Sequence, residues 1–227
     1  MNKEVHIDET CLAMRVVSED VLLPGKVGLL EAILDKPKEQ KDGYIAVCCH
    51  PHPLHGGAMG NKVVYTSSRA LAGLGIPSLR FNFRGVGNSE GSYSDGIGEQ
   101  QDLAAVAKWT GENYPNRKLL LAGFSFGAYI SAMQSFRLNC ELLISIAPPI
   151  GRIEFIDFVP PECPWMVIQG DQDELVDLDK VESWVDSFKS PPEFYKMSDA
   201  SHFFHGKLTN LRSVIEAFAI KSLNLQD

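Results

Sequence analysis

From Tyr44 onward, short apolar runs alternate with segments whose apolar residues recur every three or four positions. YIAVCCH, PSLRFNF, KLLLAGF, LLISIAP, PWMVIQG and PEFYKM are each six or seven residues long and mostly apolar, with β-branched or aromatic residues in every one. That is strand length and strand composition. Between and after them, NKVVYTSSRALAGLG, DLAAVAKWTGENY, SFGAYISAMQSF, DLDKVESWVDSFK and LTNLRSVIEAFAIKSL carry helical periodicity. In the last of these, Leu208, Leu211, Ile215 and Phe218 share one helix face. Asp177 stands where it caps the helix bearing Leu178, Val181, Val185 and Phe188. Ahead of this alternation, MRVVSEDVLLPG and KVGLLEAILD flank a Pro-Gly turn signal and read as a β-hairpin, with the polar loop KPKEQKDG behind it.

Strands alternating with helices predict an α/β fold, with a mostly parallel sheet covered by helices on both faces and opened by an antiparallel hairpin. The expected organisation is one domain over residues 1–227. The connection from Pro148 to Pro164 has room for a turn of helix but not for a lid domain. Ligands of such sheets bind at the carboxyl ends of the strands. The residues just after each strand therefore carry the functional information.

Charge narrows the partners. A formal net charge of −8 and a pI near 5.3, with Lys and Arg scattered, argue against a nucleic-acid partner. No apolar run is long enough to cross a bilayer. The stretch MNKEVHIDETCLAMRVV lacks the uninterrupted apolar core of a signal peptide. The cysteines Cys11, Cys48, Cys49, Cys140 and Cys163 are odd in number and form no C-x-x-C pair. Free thiols and a reducing cytoplasm are the expectation.

The strongest chemical signal is GFSFG, Gly123 to Gly127, between a strand and a helix. G-x-S-x-G in that setting puts a serine at the tip of a sharp, strained turn, with glycines letting strand and helix pass closely. A hydroxyl nucleophile needs a base, and the base needs an orienting group. GDQDELVD follows PWMVIQG, and SDASHFFHG follows the last strand, so the order is Ser, Asp, His. Asp173 is the candidate acid, three residues beyond Gly170, with Asp171 and Glu174 as rivals. Asp171 is expected to hold the loop through Asx-type hydrogen bonds. His202 is the candidate base. His205 is expected at the start of the last helix, as a surface or capping residue.

These motifs, with CCHPHP after the third strand and RFNFRGVGNSEG after the fourth, resemble the α/β-hydrolase pattern over nearly the whole chain. More narrowly, HPHPLHGGAMGNKVV and RFNFRGVGNSEGSYSDGIGEQQDL are similar to a small, lidless bacterial subfamily of predicted serine hydrolases. The resemblance implies Ser125 as nucleophile, Asp173 as acid and His202 as base. It departs at His50-Pro51, where the superfamily commonly has His-Gly.

The HPHPLHGG stretch then reads as an oxyanion loop. The backbone N–H of His52, flanked by Pro51 and Pro53 that have none, pairs with the N–H of Phe126. Gly56 and Gly57 allow a tight exit toward the next helix. Arg84 is a candidate to bind an acidic substrate group or, the commoner role for such an arginine, to bond backbone carbonyls of its own loop, and Glu99 and Asp102 are expected at a helix N-terminus.

The expected activity is a serine hydrolase, esterase-like, cleaving a small acyl ester, thioester or amide through an acyl-enzyme. It needs no cofactor and no metal. An open site favours short or polar acyl groups. Two alternatives stand beside it: a metal-dependent hydrolase using His50, His52 and His55, and a non-catalytic binding protein on the same fold.

Overall fold

The computed structural model describes residues 16–225. The expectations that fall on the first fifteen residues, including Cys11 and the start of the hairpin segment, lie outside the described residues.

The hairpin comes first, as β1 (Val16–Pro24) and β2 (Leu29–Pro37), antiparallel and in register from Val16 opposite Pro37 to Pro24 opposite Leu29. The remaining strands are β3 (Tyr44–Cys49), β4 (Ser78–Phe81), β5 (Lys118–Phe124), β6 (Leu142–Ile146), β7 (Trp165–Gly170) and β8 (Glu193–Met197). All eight lie in one sheet of order β1-β2-β4-β3-β5-β6-β7-β8, parallel from β4 to β8. β2 joins β4 antiparallel. This is the α/β-hydrolase fold.

The helices are α1 (Lys62–Gly73), α2 (Ile97–Asn113), α3 (Phe126–Ser135), α4 (Leu178–Asp186) and α5 (Leu208–Leu223). Alternate residues of each central strand serve opposite faces of the sheet. Ala46 and Cys48 pack with Val63, Val64, Leu211 and Ile215 from α1 and α5. Val47 and Cys49 pack with Leu103, Ile130 and Val181 from α2, α3 and α4. Burial on both faces explains why these strands read as continuous apolar runs rather than as alternating ones. Asp177 caps α4 as expected, its Oδ1 accepting the Asp179 N–H at 3.0 Å.

Helix α2 begins five residues earlier than the periodicity indicates. Its first turn, IGEQQ, is polar, but Glu99 reaches back to accept the N–H groups of Gly96 at 2.8 Å and Ser94 at 2.9 Å. The cap, not an apolar stripe, starts this helix. Asp102 therefore lies in the second turn, buried, where it receives Arg84 Nη2 at 2.7 Å and the Arg84 N–H at 3.0 Å. The expectation that Arg84 bonds backbone carbonyls, and that Asp102 serves a helix terminus, is corrected. The two form a buried ion pair that fixes the loop after β4.

The connection between β6 and β7 carries only turns and one isolated bridge, Ile150 to Ile153. Among the described residues no helix is long and apolar enough to cross a membrane.

Candidate active site

β5 and α3 meet at Ser125, whose φ of 53° and ψ of −117° lie outside the conformations L-residues favour. The neighbouring glycines make the turn possible. A Cβ on Gly123 would collide with the Gly127 carbonyl, and one on Gly127 with the Cys49 carbonyl. The strained turn therefore also brings the end of β3 against the start of α3.

His202 follows β8 and is buried, with Nε2 3.1 Å from Ser125 Oγ and Nδ1 2.8 Å from Asp173 Oδ2. An acceptor carboxylate at Nδ1 fixes the proton there and leaves Nε2 as the acceptor toward the serine hydroxyl. Asp173 Oδ1 takes the N–H groups of Leu175 and Val176, both at 2.8 Å. Burial pushes this carboxyl up, but the hydrogen bond and charge of His202 and the two backbone donors outweigh it. The net shift is downward.

Of the rivals, neither touches the His202 ring. Asp171 accepts the Asp199 N–H at 2.7 Å, so it ties two loops together across the sheet edge rather than forming an Asx turn. Glu174 accepts the His202 backbone N–H at 3.0 Å. His205 is exposed in the turn before α5, not at its start. Sequence reasoning missed Gln169, whose Nε2 donates to Asp173 Oδ2 at 2.7 Å. The signal was present: one polar side chain in an otherwise apolar, fully buried strand.

The three histidines after β3 separate. His50 is fully buried; its Nε2 accepts the Phe83 N–H at 3.0 Å and its Nδ1 donates to the Pro51 carbonyl at 2.6 Å. Burial lowers it to about 4, so the ring is neutral. With both nitrogens engaged, His50 has none for a metal. Among the described residues no three His, Cys, Asp or Glu side chains converge on a common point. The geometry overturns the His50/His52/His55 metal alternative.

His52 instead lies beside Phe126, ring centroids 4.9 Å apart, and stacks on His55 at 4.5 Å. Its Nδ1 accepts the Leu54 N–H and its Nε2 meets Tyr93 Oη, each at 3.2 Å. No acceptor meets the N–H of His52 or Phe126 among the described residues. Gly57, as expected, packs too tightly against the Pro51 carbonyl for any side chain, and Gly56 has a φ of 77°.

Ser125 and His202 open into a cavity of about 370 Å³ walled by Tyr93, Phe126, Tyr129 and Ile153. Arg152 stands at its rim with Nε bonded to the Leu175 carbonyl.

No protein-family model matches the chain. A solved α/β serine hydrolase without a lid from Xanthomonas campestris is 46% identical, with 90% of this chain and 94% of that one covered and a TM-score of 0.84. An α/β serine hydrolase homologue from Coxiella burnetii is 47% identical, covering 88% and 96%, also with a TM-score of 0.84. An uncharacterized protein of Rickettsia prowazekii is 38% identical over 187 residues, 78% of each chain. Fold and relatives define a hydrolase of the α/β class. The chain belongs to the lidless α/β serine hydrolases.

Proposed function

We propose that this protein is an esterase-like serine hydrolase working through an acyl-enzyme on small acyl esters, thioesters or amides. The observation that carries the reading is the unbroken relay from Ser125 Oγ to His202 at 3.1 Å and from His202 to Asp173 at 2.8 Å. His202 takes the hydroxyl proton at Nε2 as Ser125 attacks the acyl carbon. Asp173 holds the imidazole in the required tautomer and stabilises its charge. The tetrahedral oxyanion is received by the N–H groups of Phe126 and His52. Two features support that assignment: neither group has an acceptor among the described residues, and the close approach of Gly127 to Cys49 brings their segments together. His202 then protonates the leaving group and draws a proton from the water that releases the acyl group.

A cavity of about 370 Å³ with Tyr93, Phe126 and Tyr129 on its walls favours short or compact aromatic acyl groups over long chains. The HPHPLHGGAMGNKVV loop is, on this reading, the oxyanion loop, with His50 as its anchor.

A fluorophosphonate probe tests the proposal. It should label the protein once per chain at Ser125, and Ser125→Ala should lose both labelling and, on the order of 10⁴-fold, activity on activated short-chain esters. Full activity in that variant, with unchanged circular dichroism, would remove Ser125 from the mechanism and leave another nucleophile.

A further inference from the structure

At the end of the sheet opposite Ser125, Cys140 and Cys163 precede neighbouring parallel strands, β6 and β7. Their sulfurs are 3.5 Å apart, within hydrogen-bond reach. The backbones on either side are held by the sheet: Glu141 N–H donates to the Leu119 carbonyl at 2.8 Å and Leu143 N–H to the Pro164 carbonyl at 3.0 Å. Forming a disulfide needs the sulfurs to close from 3.5 Å to about 2.05 Å, roughly 0.7 Å for each. A cavity of about 420 Å³ opens on the pair, lined also by Phe136, Pro161 and Pro164.

The two thiols are not equivalent. Cys140 is buried, while Cys163 is partly exposed to the cavity. Their mutual hydrogen bond pushes Cys163 down and Cys140 up. Cys48 and Cys49 are fully buried, and burial pushes both thiols up, Cys48 to about 12. Among the described residues, only the 140/163 pair combines access with a partner thiol.

We propose that Cys140 and Cys163 form a reversible oxidation site for hydrogen peroxide, Cys163 reacting first and Cys140 resolving it to a disulfide. The Cys163 thiolate attacks one peroxide oxygen and breaks the O–O bond, giving a sulfenic acid and a hydroxide that takes up a proton as water. Cys140 sulfur then attacks the Cys163 sulfur, loses its own proton, and expels the second oxygen as water. Two thiols supply two electrons to one peroxide, and the product is one disulfide and two waters. The new bond closes a loop of about 24 residues that contains β6 and the connection bearing Pro149, Arg152 and Ile153 of the catalytic cavity.

The test treats the full chain with hydrogen peroxide. The intact mass should fall by about 2 Da, with a Cys140–Cys163 cross-linked peptide in a non-reducing digest. Tm should rise by roughly 5–10 °C and return with dithiothreitol. Cys140→Ser should strand the sulfenic acid on Cys163, where dimedone traps it. Cys163→Ser should slow peroxide consumption at least about tenfold. The proposal is overturned if the wild-type chain shows no mass loss, if the linkage involves Cys11, Cys48 or Cys49, or if Cys163→Ser reacts at the parent rate. The wild-type digest decides even if a variant folds poorly.

Discussion

The buried histidine of the loop after β3 makes a quantitative test. His50 is neutral in the fold, lowered from 6.5 to about 4 by burial, with both ring nitrogens bonded to backbone. Because the folded value lies below the unfolded one, the unfolded chain binds the proton first as pH falls. The stability tied to the neutral ring is complete above about pH 6.5 and drains as pH falls toward 4. Between pH 8 and pH 5 the loss from this one group is about 2 kcal/mol. His50→Leu removes the titration and leaves the Phe83 N–H and the Pro51 carbonyl without partners, which costs about 2–4 kcal/mol at pH 8. Urea unfolding at pH 8, 6.5 and 5, with m-values monitored, measures both terms. The variant should be less stable than the parent at pH 8 and approach it by about 2 kcal/mol at pH 5. A stability gap that stays constant from pH 8 to pH 5 would refute the neutral, doubly bonded ring.

Two further comparisons address the proposed catalytic groups. Asp173→Asn should lower kcat by about 10³ to 10⁴, because the imidazole loses both charge and preferred tautomer. Asp171→Ala should keep activity within a few fold and cost about 1 kcal/mol through the lost Asp199 bond; reversed effects in ester assays and melts would exchange their roles. His52→Ala should retain much of the activity, whereas His52→Pro, which deletes the N–H itself, should cost about 10² to 10³ in kcat. Both variants need melting points near the parent's, and a more severe Ala than Pro would place the function of His52 in its side chain.

The candidate catalytic motifs were legible because each is a local consequence of strand and turn. GFSFG shows its glycines, its serine and its place between apolar strand and amphipathic helix within a dozen residues. Asp173 and His202 were found by their position after β7 and β8, since the loops at the carboxyl ends of parallel strands are the ones a ligand meets. The histidine stretch was also recognisable as special, yet HPHPLHGG alone left metal ligation and oxyanion binding both open.

The metal reading is decided by which histidine turns inward. His50 is withdrawn from any metal by Phe83, 33 residues away and on a neighbouring strand's loop. The same holds for Arg84 with Asp102, Gln169 with Asp173 and Cys140 with Cys163. Gln169 is only four residues from its partner, but its side chain meets the carboxylate because the chain turns at Asp171 and Gln172 on leaving the strand. Periodicity, caps and turn residues are properties of a few consecutive positions, so the sequence by itself determined the class of fold, the order of its elements and the catalytic candidates. Hydrogen bonds and thiol contacts depend on which strands lie side by side. The order β1-β2-β4-β3-β5-β6-β7-β8 arises only when both faces of the sheet are covered at once, and so the tertiary structure alone decided those pairings.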